Sequence, residues 1–239
     1  MRIKFRGVML KTLLIRAEKF LFLFVALSLV LAYAPSVNAV DISEEVIFFG
    51  DSTTAHLAVR AGIPKSRVWS GSESTVRFST VNTARCVHLP SGEDVTFFQA
   101  MQKIKPSMIV ITLGVSGGAG VLSEKDFKAI YGKMLSSAAK ASPNTKVYVQ
   151  SILPLASGSA KYYKKLTKEA VVTANGWIRE VCEIYGVPYI NTHDLLTDEN
   201  GYLKREYQND EYMHLTAKAY KVVLESISGT INETDRKEG

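Results

Sequence analysis

A serine near the start of this chain and a histidine with two carboxylates near its end are of the types, and in the settings, that nucleophilic chemistry needs. Ser52 closes the tripeptide Gly50-Asp51-Ser52, directly after the apolar run Val46-Ile47-Phe48-Phe49 and directly before a helical pattern. At such a junction the hydroxyl is exposed beside a helix N-terminus, where developing negative charge is favoured. Serine and aspartate are also ordinary capping residues, so the tripeptide alone reads first as a helix cap. At the other end, His214 lies in Asp210-Glu211-Tyr212-Met213-His214-Leu215-Thr216. A histidine with carboxylates three and four residues before it can take a proton at one ring nitrogen while an acid orients the other. Its alternative is a capping role at the last helix. His56 and His88 lack such a local partner, and His193, although it adjoins Asp194, reads as a structural residue at a strand end.

Two glycine-containing segments lie between them. Gly71, in Trp69-Ser70-Gly71-Ser72-Glu73, lets a backbone N–H approach a ligand closely, one way to donate to an oxyanion, or else simply makes a turn. Leu113-Gly114-Val115-Ser116-Gly117-Gly118 follows an apolar strand pattern, and the Ser116 hydroxyl can donate into the same cleft. A phosphate-binding loop is a poor reading of it, because no Gly-Lys-Ser/Thr follows and the helical pattern resumes only near Glu124.

These segments must be positioned by regular elements, and the pattern alternates short β-rich runs with helices, as βαβ units with a parallel sheet do. Strands are expected at Val46–Gly50, Arg67–Trp69, Met108–Leu113, Lys146–Ser151 and Val187–Ile190. Helices are expected at Thr54–Ala61, Val95–Ile104, Glu124–Ala141, Lys164–Tyr185 and about Thr216–Ile231, with a frayed polar tail at Asn232–Gly239. The helical expectation rests on stripes spaced three and four apart, such as Phe127, Ile130, Tyr131 and Met134. Ligands bind beyond the carboxyl ends of strands in such sheets, and each candidate segment follows a strand or enters the last helix.

Residues 1–39 read as an export signal: a basic stretch from Met1 to Phe20, an apolar run from Leu21 to Ala34, then Val37-Asn38-Ala39 with cleavage after Ala39. The apolar run is shorter than the ~20 residues of a spanning helix. Residues 40–239 then form one domain, whose composition, 46% apolar and 22% charged over the whole chain, is ordinary for a globular protein. The signal holds six of the 29 basic residues and one of the 23 acids, so the remainder carries about +1 instead of +6. Little in that balance calls for a nucleic-acid or anionic-membrane partner, and membrane contact is confined to export. Cys86 and Cys182 could pair in an oxidising exterior, but buried free thiols are the plainer reading.

Taken together and in order, the four segments resemble the SGNH (GDSL-like) hydrolases, whose blocks contribute a serine in Gly-Asp-Ser, a glycine, an asparagine in Gly-x-Asn, and a histidine with an aspartate three residues before it. The resemblance spans about Val46 to His214. It implies a three-layer α/β/α sandwich with a mostly parallel five-stranded, flavodoxin-like sheet. It also implies Ser52 as nucleophile, His214 as base, and Gly71 and the Ser52 N–H as oxyanion donors, with no metal or organic cofactor. Two positions depart. Ser116 stands where the family has asparagine, and Glu211 stands at the aspartate's spacing while Asp210 has its type; spacing gives Glu211 a slight preference as the orienting acid. The implied activity is hydrolysis of an acyl ester, such as an acetyl ester on a small molecule or an extracellular glycan, by a secreted or envelope-associated protein. An O-acyltransferase using the same residues and a catalytically weak glycan- or wall-binding domain are the rival readings.

Overall fold

The computed structural model describes residues 46–238; the export signal expected at 1–39 lies outside them. In chain order the elements are β1 (Val46–Gly50), α1 (Ser52–Arg60), β2 (Val68–Trp69), β3 (Val87–His88), β4 (Asp94–Val95), α2 (Phe97–Ile104), β5 (Met108–Thr112), α3 (Glu124–Ala141), β6 (Lys146–Gln150), α4 (Lys168–Tyr185), β7 (Tyr189–Ile190), α5 (His193–Leu196) and α6 (Ala217–Glu238). Five strands form a parallel sheet, as the alternating pattern predicts, and their order is β2-β1-β5-β6-β7.

Strand alternation sorts the core into two layers. Phe49, Ile109, Ile111 and Val149 face one side, where they pack with Phe97 and Met101 of α2, Phe127, Tyr131 and Met134 of α3, and Val171 and Ile178 of α4. Val46, Phe48, Val110 and Tyr148 face the other, against Leu57 of α1, Leu196 of α5, and Tyr220, Val223, Ile227 and Ile231 of α6. Side chains of period two thus fill both faces of one sheet, giving three layers.

Local chemistry fixes where the elements start and stop. Thr96 and Gln99 form a reciprocal capping box, so α2 begins at Phe97, while Val95 pairs instead with Val87 in a small antiparallel hairpin not anticipated from the sequence. Ser123 caps α3, and Thr167 caps α4, which therefore starts four residues later than Lys164. Gly186, in the left-handed region, closes α4. Arg67 belongs to a 3₁₀ turn ahead of β2. The polar tail does not fray at Asn232: α6 continues to Glu238, supported by the Lys237–Glu233 pair and by Lys146 reaching Asp235 at 2.6 Å.

The feature that matters for the site is strand register. Gly50 of β1 pairs with Thr112 of β5, so the two chains leave the sheet at the same level. A Cβ at Gly50 would collide with the Thr54 side chain and the Thr112 carbonyl, so only glycine permits this close departure. Behind the strand ends runs a buried polar chain: Thr112 Oγ1 donates to Gln150 Oε1 (2.8 Å) and Gln150 Nε2 donates to Thr192 Oγ1 (2.7 Å). With every partner satisfied, such a chain fixes the spacing of strand ends.

Candidate active site

Ser52 is the first residue of α1, two positions after the end of β1, and the intervening Asp51 caps the helix by accepting the Thr53 N–H at 3.2 Å. Residues at a helix start have N–H groups with no intrahelical acceptor, so the Ser52 N–H points outward beside its own hydroxyl. His214 comes from the loop entering α6, 162 residues later, and its Nε2 lies 3.1 Å from Ser52 Oγ. Its Nδ1 meets Asp210 Oδ2 in a short hydrogen bond. With Nδ1 protonated toward the carboxylate, Nε2 is left to accept from the serine hydroxyl.

The acid at the ring is therefore Asp210, and the slight preference for Glu211 is corrected. The loop curls around the other carboxylate oxygen: Asp210 Oδ1 accepts the N–H groups of Tyr212, Met213 and His214 at 3.0, 2.9 and 3.1 Å. That curl carries residue 214 back over residue 210 and turns Glu211 outward, where its carboxylate pairs with Lys161 at 3.1 Å. Burial alone would raise the Asp210 carboxyl, but the three N–H groups and the His214 ring outweigh it and hold it below its ordinary value.

Around this core the sequence-derived donors separate. Ser116 lines the same cavity as Ser52 and His214, a space of about 550 Å³, and its carbonyl is anchored by the Phe78 N–H at 2.7 Å. Gly71 has a positive φ of 75° and sits against the Thr75 and Cys86 carbonyls. It lines an adjacent cavity with Ser70, Ser72 and His88; from its loop, Thr75 is the residue that reaches the Ser52 side.

Two further residues belong to this neighbourhood. His56 lies one helical turn after Ser52, and its ring packs edge-on against His214 with centroids 4.5 Å apart. Arg60 Nη1 donates to His56 Nδ1 at 2.7 Å. Burial first, then the charges of His214 and Arg60, push His56 down to about 4, so it stays neutral beside the working imidazole. The i, i+4 spacing from Ser52 was the available signal. Asp51 is the second: burial dominates and pushes its carboxyl up to about 6, against the Thr53 hydrogen bond and the His214 charge.

His193 opens α5, its N–H donating to Ser151 Oγ at 2.9 Å, and it does not line the cavity of Ser52 and His214. Cys86 and Cys182 are free and buried, and burial pushes their thiols up to about 11 and about 12. Among the described residues, no group of three or more His, Cys, Asp or Glu side chains is placed to hold a metal ion.

A hydroxyl on an imidazole, an imidazole on a half-buried carboxylate, and a helix N-terminus beside them can activate an oxygen nucleophile and stabilise an oxyanion. Comparison with known proteins agrees with that chemistry. The model of the GDSL-like lipase/acylhydrolase family matches residues 48–222. Among solved structures, a candidate platelet activating factor from Streptococcus pneumonia is 20% identical with a TM-score of 0.60, over 79% of this chain and 86% of its own. A GDSL-like lipase from Bacteroides thetaiotaomicron is 19% identical with a TM-score of 0.53, over 82% and 91%. The periplasmic domain of the lipopolysaccharide acetyltransferase of Salmonella ser. Paratyphi A is 17% identical with a TM-score of 0.51, over 78% and 83%. Curated protein sequences gave no significant match.

Proposed function

The chain belongs to the GDSL-like lipase/acylhydrolase family, and from that premise we propose that it is an exported serine esterase that removes a short acyl group, such as acetyl, from a carbohydrate. Ser52 is the nucleophile, His214 the general base, and Asp210 the acid that holds the imidazole. The observation that carries this reading is the 3.1 Å approach of Ser52 Oγ to His214 Nε2 across 162 residues of chain.

In the first half-reaction His214 takes the Ser52 proton as Oγ adds to the ester carbonyl, and the imidazolium is stabilised by Asp210. The oxyanion forms over the N-terminus of α1, where the Ser52 N–H and the helix dipole favour it, with Ser116 on the same cavity wall. His214 then returns the proton to the departing alcohol, leaving an acyl-enzyme. Water, activated by the same imidazole, attacks the acyl carbon and releases the acid and Ser52. His56 stays neutral beside the ring through this cycle, which avoids placing a second positive charge against the imidazolium.

The test is hydrolysis of 4-nitrophenyl acetate. The parent protein turns it over, and Ser52→Ala lowers kcat by roughly 10,000-fold or more. No turnover by the parent refutes the esterase and favours a glycan- or wall-binding role. Acetyl appearing on an added sugar hydroxyl in preference to water identifies an O-acyltransferase using the same residues.

A further inference from the structure

The cavity that holds Ser52 and His214 has a wall the esterase chemistry leaves unused. Tyr162, Tyr163, Lys164, Lys165 and Leu166 line it, all from the segment that follows the 3₁₀ turn Ser159–Lys161. This segment is held from two sides. Gly158 packs on the backbone of Glu211, where a Cβ would come within 2.6 Å of the carbonyl oxygen, and the Lys161–Glu211 pair ties the same loops. At the far end Gly120, with φ +71°, leaves room for the Lys165 carbonyl, with which any side chain there would collide. Aromatic contacts continue the connection: Tyr162 lies 4.8 Å from Tyr212, and Tyr212 lies 5.5 Å from His214, between ring centroids. The wall is thus built onto the loop that presents the imidazole.

Its charge is unbalanced. Lys164 and Lys165, both on the cavity wall, have no carboxylate within ion-pair distance among the described residues. The acids nearby are committed: Asp51 is buried as a helix cap, Asp210 is held by the His214 ring and three N–H groups, and Glu211 pairs with Lys161. Outside its first 39 residues the chain is almost neutral, so two adjacent unpaired cations on one cavity wall are a local arrangement. Tyr162 and Tyr163, 54% and 37% exposed, offer rings with polar tips beside them.

Resting on the esterase reading above, we propose that this wall is a subsite for an acidic saccharide. The ester that is cleaved sits on a sugar whose ring packs on Tyr162 and Tyr163, and whose carboxylate or phosphate is met by Lys164 and Lys165. Lysines act here as hydrated point charges that attract an anion without fixing its orientation. Their contribution is therefore sensitive to salt.

The experiment compares kcat/KM for an O-acetylated uronic-acid oligosaccharide, an O-acetylated neutral xylo-oligosaccharide and 4-nitrophenyl acetate. The acidic ester should exceed the neutral one by about tenfold at low salt, and the ratio should collapse near 1 M salt, where screening acts within about 3 Å. In the Lys164→Gln/Lys165→Gln double variant the ratio should fall toward one through KM on the acidic ester. Ser52→Ala should bind the acidic oligosaccharide more tightly than the neutral one, a measurement independent of turnover. Equal kcat/KM for the two oligosaccharides in the parent overturns the subsite while leaving the esterase intact. Preferred hydrolysis of anionic phospholipid vesicles also overturns it. Loss of all three activities, 4-nitrophenyl acetate included, refutes the esterase reading and the subsite with it.

Discussion

The two halves of the site are built to different standards. On the acid–base side every polar atom of Asp210 is used: one carboxylate oxygen collects three backbone N–H groups and the other holds the His214 ring, which itself packs against His56 and Tyr212. On the oxyanion side the helix start offers the Ser52 N–H, the Ser116 side chain stands on the cavity wall with a shorter reach than an amide would have, and Gly71 faces a neighbouring cavity. On the proposed mechanism, proton transfer is pre-organised by a network, whereas charge stabilisation leans on one helix terminus. Such a division predicts an enzyme sensitive to its acid and improvable at its oxyanion donors.

The largest effect should come from breaking the network while keeping its shape. Asp210→Asn retains an oxygen for the three N–H groups but lets the ring adopt the wrong tautomer, and kcat on 4-nitrophenyl acetate should fall roughly 1,000- to 10,000-fold. A loss of less than tenfold would show that the ring is oriented by something else.

Next comes the helix start itself. The folded protein holds the Asp51 proton up to about pH 6, whereas an exposed aspartate releases it near 3.8. Between those values the folded state binds more protons than the unfolded state, so its stability declines as pH rises from about 4 to about 6 and levels off above. The full shift corresponds to roughly 3 kcal/mol. Asp51→Asn keeps a capping side chain and should remove this decline. The check is the difference in unfolding free energy between the two proteins from pH 4 to 7, a comparison in which the opposite contribution of His56 cancels. Parallel curves would exclude Asp51 as the source.

A smaller gain should sharpen the contrast from the weak side. Ser116→Asn extends a donor toward the oxyanion and should preserve kcat or raise it up to about tenfold. A tenfold drop would give the serine a different job. Smallest of all, Glu211→Gln removes only an exposed pair with Lys161, so kcat should stay within about twofold of the parent.

Much of this was legible in the chain because local chemistry and tertiary packing agree. The α3 stripe of Phe127, Tyr131 and Met134 and the Ser123 cap point to the same helix, and strand–serine–helix at residues 46–52 needs no distant information. The β3–β4 hairpin escaped because two-residue strands carry no periodicity. The end of α6 escaped because its last turns are polar, and what holds them is partly a contact with Lys146, 89 residues away. The choice between Asp210 and Glu211 was not a matter of spacing. It turned on which carboxylate the following three N–H groups close around, and a short aspartate suits that local turn. The placement of His56 against His214 depended on the last loop returning to the first helix, which a local reading does not contain.

One buried bond reinforces that return. Tyr220 of α6 donates to the Thr53 carbonyl at 2.6 Å, stitching the final helix onto the first turn of the nucleophile's helix. On the proposed mechanism, catalytic competence is consequently a late event in the life of each molecule. Until the segment around Tyr220 has been synthesised and docked, the serine has neither its partner nor its brace, and a chain caught partway through folding is chemically silent. Turnover thereby doubles as a reporter of completed folding.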